Sequence, residues 1–505
     1  MQEKISSPLS PAERREICAL VAAGRHLPLR YRDRLFQEED HAAPVTLPAP
    51  SPREYFPARG NPACSRVNTL IRGDNLAVLQ AMLDGPLDGV APAAGGVRLI
   101  YLDPPFAVGA HFPVVLDVGG RKSALAATAY SDVWREGPQS FQRMISARLP
   151  LMRDLLADDG SIYVHCDWRA VSFFRLFLDY LFGPDHFLGE IIWHYTGGGR
   201  SRRYFSRKHD TLLHYAKSRR WIFHQDAVRV PYAATSGFAR SGIVSAAGKK
   251  YSPNPLGTPV DDVWSLPIVN PMSRERLPYP TQKPEVLLER ILRASSSPGD
   301  LVADFFCGSG TTLAVAERLG RAWLGADSSP FALQTTRKRL LALRRTLEHS
   351  PPLAILDCAP PRQDAPFAIL LDRRTFTYDP PEIAAAVRRV PGGIVVELRG
   401  FLVRDREGEG SLLVRGGLLC RREGVRTAPL MRTWRDWVDS WSLDAAPASG
   451  CFVSLWQGLR RRGEEGIDLA SPVLPAGSPV VSVRVVDIFA REHTRLFPLG
   501  EYATR

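Results

Sequence analysis

The segment Leu301-Val302-Ala303 is apolar and runs straight into Asp304-Phe305-Phe306-Cys307-Gly308-Ser309-Gly310-Thr311-Thr312. A helical stretch follows to Leu319, and Gly320 closes it. Strand, glycine turn and helix in that order open a nucleotide-binding α/β unit. Gly308 and Gly310 let the backbone approach a ligand closely and adopt conformations that a Cβ would forbid. The spacing is not Gly-x-Gly-x-x-Gly, and no Lys-Ser/Thr follows, so dinucleotide and triphosphate sites are both disfavoured. A second apolar segment from Ala322 to Ala326 delivers Asp327 about twenty residues on, where an acid can accept hydrogen bonds from a ribose diol. Taken singly, these pieces read as a helix-entry loop and a surface acid; their combination is what constrains the fold.

A second tip lies some two hundred residues earlier. The apolar run from Val97 to Leu102 ends in Asp103-Pro104-Pro105-Phe106. The prolines fix their own φ and lack N–H groups, so their carbonyls are presented without competing donors. A carboxylate, a bare carbonyl and a flat ring are the parts needed to grip an amino group on a planar base. Alone, Asp-Pro-Pro is also an ordinary turn.

Strands and helices alternate around these tips. Val67 to Ile71 reads as a strand ending in Gly73-Asp74, residues 141–156 as a helix, 161–165 as a strand and 171–182 as a helix. Residues 190–194 and 211–215 suggest an antiparallel pair at one edge. Such alternation predicts a largely parallel sheet covered on both faces, with ligands at the carboxyl ends of its strands. Asp74, Asp103, Asp304 and Asp327 all fall near such ends and are expected to cluster.

The chain divides into an N-terminal helical and extended arm (1–65), an α/β catalytic domain (66–345) and a β-rich accessory domain (350–505). In the arm, residues 11–23 read as a short amphipathic helix and 42–62 as a proline-rich meander. Residues 107–132 read as a mobile loop beside the substrate, and 218–262 as an irregular insertion. In the last domain, residues 393–398, 411–414 and 480–486 read as strands between Gly- and Arg-rich turns.

Sixty-five Lys and Arg against 53 Asp and Glu give a formal charge of +12, which suits a polyanionic partner. The densest basic stretch, from His194 to Arg220, includes Arg200, Arg202, Arg203, Arg207 and Lys208, with Tyr195, Tyr204 and Phe205 interleaved. It reads as a phosphate-contacting loop. Arg337, Lys338, Arg339, Arg344 and Arg345 read instead as a solvated helix face. The seven cysteines are scattered, so no metal site is indicated and Cys307 reads as a packing residue. An odd cysteine count without a signal peptide points to a reducing cytoplasm. No apolar run is long enough to cross a bilayer, so no membrane association is expected.

Ordered segments of the chain carry a family resemblance: Ile71-Arg72-Gly73-Asp74-Asn75-Leu76, Asp103-Pro104-Pro105-Phe106, Ser161-Ile162-Tyr163-Val164-His165 and Lys208-His209-Asp210. Tyr279-Pro280-Thr281-Gln282-Lys283-Pro284, Phe306-Cys307-Gly308-Ser309-Gly310 and Gly325-Ala326-Asp327 follow. Across roughly residues 66–345 the chain resembles β-class site-specific DNA amino-methyltransferases, the adenine N6 and cytosine N4 enzymes. In that class the base-binding motif precedes the cofactor loop, as it does here.

The resemblance implies a Rossmann-like S-adenosylmethionine-dependent methyltransferase fold, circularly permuted, with a mostly parallel seven-stranded sheet containing one antiparallel strand. It implies S-adenosylmethionine as cofactor. Phe306, Gly308 and Gly310 would line its methionine part, Asp327 would bind its ribose, and Asp74 would accept from its adenine amino group. Lys283 would close the methionine side, or is a solvated lysine before a proline turn. Asp304 would orient the loop backbone. Asp103 and the Pro104 carbonyl would draw the target amine's hydrogens out of the ring plane, with Pro105 completing the tip and Phe106 stacking on a flipped base. Asp rather than Ser at the first position of the tip favours adenine N6 over cytosine N4. Residues 218–262 fall where this class carries target recognition. The implied partner is double-stranded DNA, and the resemblance also admits a homodimer and subunits of a restriction or other defence system. Alternatives are a cytosine N4 enzyme, a DNA-binding or partner-dependent subunit, and an RNA or protein amine substrate.

Overall fold

A computed structural model of the chain describes residues 51–59, 66–84, 96–118, 121–134, 138–197, 200–244, 249–358, 367–371, 374–378, 381–402, 433–447, 451–460 and 466–499. The helix expected over residues 11–23 and the strand expected over 411–414 lie outside them.

In chain order the strands begin with β1 (Ser51–Phe56), β2 (Asn68–Arg72), β3 (Val97–Leu102), β4 (His111–Val118) and β5 (Arg121–Ser131). Then come β6 (Leu156–Cys166), β7 (Phe187–His194), β8 (His209–Ala216), β9 (Ile243–Val244), β10 (Lys250–Tyr251) and β11 (Val263–Ser265). Next are β12 (Leu301–Asp304), β13 (Ala322–Asp327), β14 (Leu353–Asp357), β15 (Phe367–Leu371), β16 (Arg374–Tyr378), β17 (Glu382–Val390) and β18 (Gly393–Leu402). The last are β19 (Val438–Asp444), β20 (Phe452–Val453), β21 (Trp456–Leu459), β22 (Val480–Asp487) and β23 (Glu492–Pro498).

One sheet dominates, in the order β11-β7-β8-β6-β3-β12-β13-β2-β14-β1-β20. Its centre, β2-β13-β12-β3-β6-β8-β7, is the expected seven-stranded sheet. Only β8 runs against its neighbours there; the others are parallel. The central strands read as unbroken apolar runs because both faces are covered, and Val97, Leu99, Ile100, Val302 and Ala303 are fully buried. The expected edge pair β7-β8 is antiparallel but is not the edge, because β11 adds beyond β7 in parallel.

At the other side the sheet extends past the expected seven strands. β14 pairs in parallel with β2, and β1, within the stretch read as a meander, pairs antiparallel with β14. β20 then adds to β1. The C-terminal residues are β-rich: β17 and β18 form a hairpin, and β21-β19-β22-β23 form a second sheet.

Three local expectations are corrected. The helix read over 141–156 is two helices, Pro138–Ser146 and Leu149–Leu155, because Pro150 starts a new helix more readily than it continues one. The loop read over 107–132 is the β4-β5 hairpin. The basic face of the helix Pro330–Thr346 is not solvated. Arg337 is buried and donates two hydrogen bonds to Glu54 of β1 at 2.8 and 2.9 Å. Arg344 pairs with buried Glu317, Arg339 with Glu285, and Lys338 with Asp439 of β19. The helix joins the catalytic sheet to the C-terminal strands through charges that a sequence pattern reads as solvent-facing.

Candidate active site

Register places the two tips together. β3 and β12 are neighbours, with Ala303 opposite Ile100, so Asp103 and Asp304 leave adjacent strands at the same carboxyl end. β13 lies on the other side of β12, with Gly325 opposite Asp304, which brings Asp327 beside the glycine loop. A cleft of about 320 Å³ opens there. Its walls include Asp103, Pro104, Pro105 and Phe106 from the first tip, and Asp304, Phe306 and Gly308 from the second. Asp327 and Lys283 also line it.

The glycine loop is held from both sides. Asp304 accepts from the Phe306 N–H at 3.1 Å and from the Thr312 hydroxyl at 2.6 Å. Asp327 accepts from the Gly308 N–H at 2.9 Å and from the Ser329 N–H at 2.8 Å. Gly310 does not line the cleft. It begins the helix Thr311–Arg318 at φ +71°, and a Cβ there would stand 2.6 Å from the Thr336 side chain. Its role is to let the loop close on the helix Pro330–Thr346. Burial pushes the Asp304 carboxyl up to about 7 and that of Asp327 up to about 6, against the hydrogen bonds that favour their charged forms. Cys307 is buried, and burial raises its thiol, which suits packing and not nucleophilic attack.

Lys283 ties the two halves together. Its Nζ lies 2.6 Å from Asp103 Oδ2 and 5.3 Å from the centre of the Phe106 ring. Its carbonyl accepts from the Thr311 hydroxyl at the start of the loop's helix. The preceding Gln282 is fixed by bonds to the Leu277 N–H and the Glu275 carbonyl, each 2.8 Å. The geometry is that of a buried cation between two acidic tips, not of a solvated lysine.

Asp74 stands apart. It accepts from the Leu76 N–H at 2.9 Å and pairs with Arg148 at 2.6 Å, and it does not line the cleft. It therefore starts the helix Asn75–Asp84 and does not share the cleft with the other carboxylates.

Several residues that support the site went unremarked in the sequence. His165 is fully buried, takes the Tyr101 hydroxyl at 2.7 Å, and faces Asp210 at 3.3 Å. Its ring packs against Phe106 at 5.7 Å. Buried Asp132 accepts from the Ala107 and Val108 N–H groups at 3.1 and 2.8 Å, pinning the exit of the tip. His165 ends a predicted strand, so the strand-end rule that found Asp103 reaches it too. Asp132 carried no comparable signal.

The basic loop joins β7 to β8 and so lies at the same end of the sheet. Arg200, Arg202 and Arg203 are exposed. Arg207 stacks on Trp168 at 3.9 Å and on Tyr204 at 4.8 Å. The Lys208 ammonium donates to the Gly197 carbonyl. Of the recognition insertion, the helix Gly237–Ser241 and the small β9-β10 hairpin are ordered elements within an otherwise irregular path.

A permuted, mostly parallel sheet with a glycine-loop cradle and an Asp-Pro-Pro-Phe tip at one end is the architecture of a methyltransferase. A family model described as DNA methylase matches residues 97–338. Type II methyltransferase M1.MboII of Moraxella bovis is 38% identical over 184 residues, covering 34% of this chain and 69% of that protein. DNA adenine methyltransferase YhdJ of Escherichia coli K12 is 28% identical over 278 residues, covering 55% of this chain and 83% of that protein. Among solved structures, a DNA modification methylase of Thermus thermophilus complexed with S-adenosyl-L-methionine is 18% identical. It covers 58% of this chain and 100% of its own, with a TM-score of 0.37. The chain belongs to the N6/N4 DNA methylase family.

Proposed function

We propose that the chain transfers a methyl group from S-adenosylmethionine to the N6 amine of an adenine flipped out of double-stranded DNA. The observation that carries this is the meeting of Asp103 and the glycine loop in one cleft, bridged by Lys283.

The cradle suits the cofactor. Asp103, Asp304 and Asp327 surround a cleft of adequate depth, and two of them are held partly protonated for want of a nearby cation. A sulfonium supplies that cation and, when bound, an electrophilic methyl group. Asp327 keeps lone pairs for ribose hydroxyls beyond the two N–H groups it already accepts. Lys283 faces a carboxylate in the cleft and can hold the methionine carboxylate. Phe306 and Gly308 line the space between.

The rest of the chemistry falls to the first tip. An exocyclic amine is a poor nucleophile because its lone pair is delocalised into the ring. Asp103 and the Pro104 carbonyl accept its two hydrogens, draw them out of the ring plane and favour a tetrahedral nitrogen. Asp103 also stabilises the positive charge that develops on that nitrogen. Positioning then lowers the barrier without a covalent enzyme intermediate. Phe106 stacks on the base, which offsets part of the few kcal/mol that flipping costs. Arg200, Arg202, Arg203, Arg207 and Lys208 provide the basic surface beside the base, and residues 218–262 the candidate target reader. The division into arm, catalytic domain and accessory domain is part of the same reading.

The family spans both amines, and the adenine assignment rests on Asp103 and on the similarity to an adenine enzyme. The test is incubation with methyl-labelled S-adenosylmethionine and unmodified DNA, followed by digestion and identification of the labelled nucleoside. Labelled N6-methyladenine that disappears with Asp103→Ala is the expected result. Labelled N4-methylcytosine overturns the base assignment, and no label overturns the activity.

A further inference from the structure

One residue of the basic loop has no account in the reaction. Phe205 is 99% exposed, a position in which an apolar ring gains nothing from the fold. Its surroundings are not loose. The Ser201 N–H donates to the Ser206 hydroxyl at 2.9 Å, and the Ser201 hydroxyl oxygen accepts from the Arg203 and Tyr204 N–H groups at 3.2 and 3.3 Å. The base of the loop is closed by the Tyr195 N–H on the Lys208 carbonyl at 2.9 Å. The neighbouring rings are engaged, with the Arg207 guanidinium against both Trp168 and Tyr204. A short, braced loop therefore holds one large apolar side chain out into solvent, between Arg202 and Arg203 on one side and Arg207 on the other.

Its location is equally specific. Tyr195 donates to Asp210 at 3.1 Å, Asp210 faces His165 at 3.3 Å, and the His165 Nδ1 is 4.0 Å from Asp103. The loop thus rises from the same strand ends that carry the base-gripping tip. Flanking guanidinium groups suit phosphates on either side of an apolar wedge, and side chains of this kind enter DNA by separating adjacent bases.

We propose that Phe205 enters the base stack of the DNA duplex and occupies the gap that the target base leaves when it turns into the cleft. This rests on the reading of the chain as a DNA methyltransferase. Phe205 is then a positioning residue: it favours the extrahelical state and touches neither cofactor nor the reacting nitrogen.

The test uses the full chain. Methylated positions in unmodified plasmid DNA first locate the site, and two duplex oligonucleotides carrying it are compared. In one the target base is fully paired; in the other it is opposite a mismatch that already weakens its stacking. Phe205→Ala is expected to lose tenfold or more in kcat/KM on the paired duplex and to recover most of that loss on the mismatched one. Phe205→Trp keeps activity on both. The salt dependence of binding is unchanged in either variant, because no phosphate contact is removed. Equal activity of Phe205→Ala and the parent on the paired duplex overturns the proposal, as does an equal loss on both duplexes. Failure of the parent chain itself to label DNA overturns the proposed activity and this role with it.

Discussion

The ammonium of Lys283 lies 2.6 Å from the carboxylate of Asp103, although the two residues belong to different halves of the catalytic sheet. Asp103 leaves β3, while Lys283 immediately precedes the helix Glu285–Ser295 and reaches the glycine loop through its own carbonyl. The pair therefore couples the base-binding tip to the cofactor cradle.

That coupling predicts distinct losses for its two members. Asp103→Ala removes the acceptor for the reacting amine and is expected to lower kcat by about a hundredfold or more, with cofactor binding largely kept. Lys283→Met is expected to weaken cofactor binding by about tenfold and to lower transfer as well, since it also leaves Asp103 without its counter-charge. Calorimetric binding of S-adenosylmethionine alongside single-turnover methylation separates the two. Equal behaviour of the variants in both assays contradicts the coupling.

The raised carboxyls of Asp304 and Asp327 predict a pH dependence. A folded-state value of about 7 for Asp304, against an ordinary 3.8, stabilises the folded chain through its protonated form. That contribution is full below about pH 4 and is lost as pH rises through 7. A cationic ligand reverses the preference, because it favours the ionised carboxylates. S-adenosylmethionine affinity should therefore increase from about pH 5.5 to 7.5, with proton release on binding. S-adenosylhomocysteine, whose sulfur is neutral, should show a shallower rise. Asp304→Asn keeps an acceptor for the Phe306 N–H and should flatten the difference between the two ligands. Titration calorimetry in buffers of different ionisation enthalpy measures this directly.

The exposed pair Arg202 and Arg203 should act through phosphates alone. Changing both to Ala is expected to reduce the slope of log K against log salt by roughly 1 per residue. Affinity should fall evenly across DNA sequences, with kcat at saturating DNA preserved. An unchanged slope places the basic surface elsewhere.

The buried pair of Glu54 and Arg337 concerns stability and not chemistry. Glu54→Ala leaves a buried guanidinium without its partner and should cost about 3–5 kcal/mol. Glu54→Gln retains an acceptor and should cost less. Urea denaturation of the full chain provides the comparison. A change below about 1 kcal/mol for Glu54→Ala would show that the edge of the sheet relaxes around the loss.

The catalytic half of the molecule was legible because its signals are local. A strand that ends in Asp103-Pro104-Pro105-Phe106 and another that ends in Asp304 and a glycine loop announce themselves in a few residues, and parallel pairing then forces them together. Lys283 was ambiguous, since a lysine before Pro284 looks the same whether it faces solvent or a carboxylate across the cleft. Arg337 and Arg344 were misread because charge periodicity assumes a solvent-facing helix, whereas Glu54 and Glu317 are far away in sequence. Asp74 was misplaced for the opposite reason: it does sit at a strand end, but Arg148 and the Leu76 N–H claim it first. β1 was missed because two prolines nearby outweighed the short run Ser51–Phe56.

The central sheet tapers at both ends. Its outermost strands are Val263–Ser265 on one side and Phe452–Val453 on the other. Long open edges invite another chain to add a strand, and short ones deny it a template. The fold thereby discourages self-association by sheet extension while keeping a wide sheet, and its expected polyanionic partner meets the protein at the strand ends, where side chains and not free backbone do the recognising.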